Sequence, residues 1–107
     1  MHSIAHIINI FQPSETSDLK LAQEVTLASM IRARNSSKNP ESIQLLSAQT
    51  EADLKMVPNE FHATVNLSRD VTDLQTFSRK MNLPILKDIL DRLYNETDAE
   101  YLVYSNI

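Results

Sequence analysis

Not one of the 107 residues is glycine. Ordinary usage of roughly 7% would place about seven in a chain this long. The absence removes a set of folding solutions and the chemistries built on them. There is no Walker A loop, no GxGxxG dinucleotide turn and no GxSxG nucleophile elbow. Each of those needs a residue without a Cβ, so that the backbone can turn sharply or approach a ligand closely. Left-handed positions would fall mainly to Asn or Asp, with Asn35, Asn39, Asn59 and Asn95 as the candidates.

Hydrophobic patterning then organises the chain. Residues 4–11 (IAHIINIF) form a near-continuous apolar run, the pattern of a strand buried on both faces of a parallel sheet. A polar loop, QPSETS, follows. Residues 18–33 predict a helix capped by Ser17 or Asp18, with Arg32 and Arg34 at its dipole-favoured end. Its inward side is predicted as Leu21, Ala22, Val25, Ala28, Ser29 and Arg32, broadened by Leu19, Met30 and Ile31. Turn chemistry in NSSKNPES leads to a second strand over 43–49 (IQLLSAQ).

Residues 50–60 form a polar connection broken by Pro58. Phe61, Ala63, Val65 and Leu67 alternate as in an extended segment or short strand. Thr72 and Gln75 have capping-box spacing for a helix over about 73–80. The clearest helix spans 84–95, with Pro84 in its first turn. Its stripe is Ile85, Leu86, Ile89, Leu90, Leu93 and Tyr94, and Lys87, Asp88, Asp91 and Arg92 lie off it, toward solvent. Residues 99–107 (AEYLVYSNI) read as a final buried strand. Strands alternating with helices imply right-handed crossovers and a mainly parallel sheet in one α/β domain, 1–107.

Charge and composition narrow the partners. A net charge of −4 disfavours nucleic acid, whose binders carry a basic stripe. No apolar run approaches the roughly 18 residues that span a bilayer. The N-terminal apolar run lacks a basic n-region and a cleavage site, so it reads as a strand rather than a signal peptide. With no secretion signal, the sequons at Asn35, Asn66 and Asn95 read as chance. With no cysteine there is no disulfide, thiolate metal site or thiol nucleophile, and a cytoplasmic location is expected.

Chemistry-bearing side chains are sparse. His2, His6 and His62 form no i, i+4 pair and no HExxH, and His6 reads as a satisfied core residue of the first strand. Ser3, Ser14, Ser47 and Ser105 show no base at a diagnostic spacing. Asp70 with Asp73 and Asp88 with Asp91 suit helix starts or solvated faces. Arg79 and Lys80, at a helix junction, suit either dipole compensation or an anionic ligand. Polar residues close each apolar strand: Asn9 and Gln12, then Ser47, Gln49 and Thr50, then Ser105 and Asn106. A parallel sheet gathers such ends at one edge, where small ligands bind.

Residues 79–107 (RKMNLPILKDILDRLYNETDAEYLVYSNI) resemble part of the type A glycosyltransferase fold. In such nucleotide-diphospho-sugar transferases a helix of LPxLKDIL type leads into a strand reading roughly YLIYTN. IAHIINIFQPSETSDLKLAQEVTLASM and IQLLSAQTEAD are similar to the opening strand and helix, and to the second strand and its exit. The resemblance implies a Rossmann-like α/β fold, the nucleotide-sugar-binding N-terminal half of that domain. It implies a nucleotide or nucleotide-sugar partner contacted near Asn9, Gln49, Asp53 and Arg79. In the family an acidic motif holding a divalent metal and the diphosphate follows the YLIYTN strand. Neither acid is present here, no cofactor is identifiable, and the sequence is expected to be a truncated domain, inactive alone. The alternative expectation is a non-catalytic interaction module that self-associates through its C-terminal strand, whose amides would be unpaired at a sheet edge.

Overall fold

The computed structural model of the chain describes residues 2–13, 16–68 and 86–106. Four strands form one all-parallel sheet: β1 (Ile4–Asn9), β2 (Ile43–Ala48), β3 (His62–Ala63) and β4 (Tyr101–Ser105), in the order β3-β2-β1-β4. Helix α1 (Asp18–Asn35) joins β1 to β2, and α2 (Leu86–Asn95) precedes β4. This is an α/β fold with helices flanking a parallel sheet, as the alternation of patterns predicts.

The central strand is the apolar run at the start of the chain. Ile4 pairs with Ile43 on one side and Tyr101 on the other, and both registers continue without a slip. Alternate side chains of β1 feed two separate cores. Ala5 and Ile7 join Leu46, Ala48, Leu67, Ile89 and Leu93 beneath α2. Ile8 and Ile10 join Leu27, Met30, Leu45 and Phe61 beneath α1. Each fully buried Ile or Leu among them contributes roughly 1.5–3 kcal/mol of transfer free energy. The two helices therefore lie on opposite faces of the sheet.

Ser17 caps α1, its Oγ accepting from the Leu19 amide at 3.1 Å. The helix runs to Asn35, two residues past the expected end, and Arg32 and Arg34 occupy its last turn. Its inward face is only partly the predicted one: Met30 and Ile31 pack on the core as expected, but the Leu21–Val25 side does not. Gln23, Leu27 and Met30 are buried, whereas Leu21 and Val25 are 66% and 56% exposed. A hydropathy stripe favours Leu21 and Val25, but α1 turns a glutamine inward because β1 leaves backbone groups there to be paired. Gln23 Oε1 accepts from the Phe11 amide at 3.1 Å, and its Nε2 donates to the Phe11 carbonyl at 2.8 Å.

Four further expectations need correction. No described residue has positive φ, so none of Asn35, Asn39, Asn59 and Asn95 takes the left-handed conformation. Short 3₁₀ turns over Pro40–Ser42 and Glu51–Met56 make the reversals instead. The alternation over 61–67 fails at its centre: Thr64 is buried and Val65 exposed. Thr64 Oγ1 donates to the Ser47 carbonyl at 2.8 Å, which holds the threonine inward. In α2 only Ile89 and Leu93 of the described stripe are buried, and Leu86, Leu90 and Tyr94 are exposed. β4 is not a buried strand. Among the described residues it lies at the sheet edge, and Tyr101, Leu102, Val103 and Tyr104 are all exposed. The predicted helix over 73–80, Pro84, Ile85 and the Arg79–Lys80 pair lie outside the described residues. No described helix is long and apolar enough to cross a membrane.

Candidate functional site

Parallel pairing brings the carboxyl ends of all four strands to one edge. The order β3-β2-β1-β4 also reverses direction at β1. From β1 the chain steps outward through β2 to β3, then returns to β1's other side as β4. The connections on the two sides run over opposite faces, as α1 and α2 do here. In open α/β sheets such a reversal of strand order marks the topological switch point, and ligands bind there at the carboxyl ends of the strands.

Asn9 closes β1. Its Nδ2 donates to the Ala48 carbonyl at 2.9 Å, fastening the exits of β1 and β2 together. At the end of β4, Ser105 Oγ and His6 Nε2 are 2.6 Å apart. His6 lies opposite Val103 in the register, and Ser105 is two positions further along. Burial disfavours the imidazolium, so the His6 pKa is lowered from its ordinary value. Nε2 of a neutral His6 accepts from the Ser105 hydroxyl in the Nδ1–H tautomer and donates to it in the Nε2–H tautomer. The sequence gives no hint of this pair, because the residues are 99 positions apart. Only the β1–β4 register brings them together. The expectation of a satisfied histidine in β1 holds, with Ser105 as its partner, although His6 is half-buried rather than enclosed.

Gln49 follows β2 and is fully buried. Its Oε1 accepts from Ser47 Oγ at 2.6 Å, and its Nε2 donates to the Thr64 carbonyl at 2.8 Å and to Asn66 Oδ1 at 2.9 Å. These bonds lock β2 to the segment after β3, extended by the Thr50–Leu67 bridge. A ligand contact from Gln49 would require some of them to break. Asp53 stands in the 3₁₀ turn after β2. One carboxylate oxygen accepts from Thr50 Oγ1 at 3.0 Å and the other from the Gln12 amide at 3.2 Å. It orders the loop leaving β1. Of the four residues the resemblance points to, Asn9, Gln49 and Asp53 thus share the carboxyl edge, and Arg79 lies outside the described residues.

An open cleft of about 270 Å³ lies beside that edge, lined by Gln12, Pro13, Lys20, Gln23, Glu24 and Met56. Its walls come from the β1 exit loop, the first turns of α1 and the 3₁₀ turn after β2. Asp53 shapes it indirectly through the Gln12 amide. Among the described residues, no three His, Asp or Glu side chains stand together as a metal-binding group. At the opposite end of the sheet, His2 Nδ1 lies 3.3 Å from Asp98 Oδ1, and this hydrogen bond lowers the Asp98 pKa. Those residues lie exposed at the amino ends of the strands, away from the carboxyl edge.

No protein-family model matches the chain, and no curated protein or solved structure matches it either.

Proposed function

We propose that the chain binds a nucleotide or nucleotide-sugar, as the first half of a domain similar to the type A glycosyltransferases. The observation that carries this reading is the reversal of strand order between β1 and β4, with α1 and α2 on opposite faces. A nucleoside diphosphate would enter where Asn9, Gln12, Ser105 and Asn106 close β1 and β4. The rigid supports around them favour a preformed site: Asn9 is tied to Ala48, the Gln12 amide to Asp53, and Ser105 to His6. In the family a divalent metal is held by an acidic motif; among the described residues no group of three acidic or histidine side chains stands together to hold one. Calorimetric titration with UDP, GDP and their sugars, with and without Mn²⁺, tests the reading. Heat saturating at a 1:1 ratio supports it, and the absence of binding at millimolar ligand overturns it.

A second reading, self-association through β4, is favoured by a separate observation. The strand stands at the sheet edge with four consecutive apolar residues exposed. A cytoplasmic setting agrees with the absence of cysteine.

A further inference from the structure

The two edges of the sheet are unlike. β3 is two residues long, a short edge of the kind that resists pairing. β4 is five residues long and carries no charge, proline or bulge to blunt it. Among the described residues its one strand neighbour is β1. The Tyr101 amide donates to the Ser3 carbonyl on β1 at 2.9 Å. Backbone groups alternate along a strand, so Tyr101, Val103 and Ser105 turn theirs toward β1. Leu102 and Tyr104 turn theirs outward.

That parity, resting on the self-association reading above, selects a register. We propose that β4 pairs antiparallel with β4 of a second copy about a two-fold axis at Val103. Leu102 then stands opposite Tyr104 of the other copy, and the two exchange both backbone hydrogen bonds. The symmetric pair repeats this, giving four in all. Val103 meets its own counterpart as a non-hydrogen-bonded pair, with Cα atoms about 4.5 Å apart. No charge lies within the strand, so a second copy meets no like charge across the axis. An aromatic residue stands opposite an aliphatic one at Leu102–Tyr104, a favourable cross-strand pair.

The α2 face supplies a second contact. Arg92 reaches toward β3, its guanidinium donating to the Val65 and Asn66 carbonyls. Leu90 is two positions away, about 200° around the helix, so it lies on the opposite, β4-facing flank. Leu86, one turn earlier, shares that flank, and both leucines are exposed. A two-fold axis normal to the sheet keeps α2 and its copy on the same face. Their leucine flanks then approach above the Leu102–Tyr104 pairs. Tyr101 and Tyr104, 67% and 36% exposed, would alone cover on the order of 200 Å² per copy. That is about a quarter of the roughly 800 Å² per partner in a standard interface. The two leucines, Leu102, Val103 and the paired backbones add to it.

Because the chain has no cysteine, a single introduced thiol reports the register. Val103→Cys places two thiols at the axis, within disulfide range. Tyr101→Cys places them about 14 Å apart, beyond it. Sedimentation of the unaltered chain is expected to shift from 12.2 kDa toward twice that mass as concentration rises. Under mild oxidation, Val103→Cys is expected to cross-link roughly tenfold faster than Tyr101→Cys, as a held pair reacts at raised effective concentration. A chain that stays monomeric at high concentration overturns both the pairing and the self-association reading. A dimer in which the two variants cross-link equally overturns the Val103-centred register and leaves self-association standing.

Discussion

Gln23 offers the sharpest test of how α1 meets the sheet. The residue is 4% exposed, and its amide pairs with both the amide and the carbonyl of Phe11. Gln23→Leu keeps nearly the same volume and a good helix former, so packing and propensity change little. It removes two hydrogen bonds worth about 1 kcal/mol each and leaves two backbone groups facing an apolar side chain. The combined loss is about 2–4 kcal/mol. With a urea slope of about 1–2 kcal/mol/M, the unfolding midpoint falls by roughly 1–4 M. The control is Leu21→Ala, at a residue 66% exposed on the outer side of α1. An exposed substitution of this kind changes stability by about 0.5 kcal/mol or less. Both variants are measured by urea unfolding followed by circular dichroism. A large loss for Leu21→Ala with little change for Gln23→Leu would mean that α1 packs through its hydropathy stripe, and would refute the orientation described here.

Other expected outcomes follow from the same structure. Gln49→Leu should cost about 2–4 kcal/mol in the same assay, because Ser47, Thr64 and Asn66 all lose a partner for one side chain. Ile89→Ala should cost about 2–5 kcal/mol by opening a cavity in the core beneath α2, whereas the exposed Tyr94→Ala should change little. The lowered His6 pKa means that the unfolded chain binds this proton more readily than the folded one. Its contribution to stability is complete above the unfolded value near 6.5 and is lost as the pH falls toward the lower folded value. Denaturation between pH 7.5 and 5 should reveal this slope, and His6→Gln should flatten it. An unchanged slope in the variant would assign the pH dependence to other groups.

Much of the architecture is legible in the sequence. IAHIINIF announces a central strand because both its faces must be apolar, and Ile7, Ile8 and Ile10 are fully buried. The helix–strand alternation fixes the parallel class, and Ser17 marks the start of α1. Helix orientation is the harder problem. A hydropathy stripe ranks Leu21 above Gln23, but the backbone of Phe11 needs a donor and an acceptor, and that need is visible only in three dimensions. Thr64 likewise turns inward, where its hydroxyl joins its own amide in bonding the Ser47 carbonyl, and Val65 turns outward. Edge position is not written in YLVYS, whose composition suits a buried strand and an exposed edge equally. At the carboxyl edge, Asn9 and Gln49 are recognisable as polar closures of apolar runs, and Asp53 is pointed to only by the resemblance. Their local tasks, and the His6–Ser105 contact, depend on registers between segments far apart in the chain.

The account's central claim is that the carboxyl edge between β1 and β4 binds a nucleoside diphosphate. An amide-resolved NMR titration of the chain with UDP and with GDP addresses it directly. The account predicts saturable shifts concentrated at Asn9, Gln12, Ser105 and Asn106, with little change at His2 and Asp98 on the opposite end of the sheet. Saturable shifts confined elsewhere, or none at millimolar nucleotide, would contradict it.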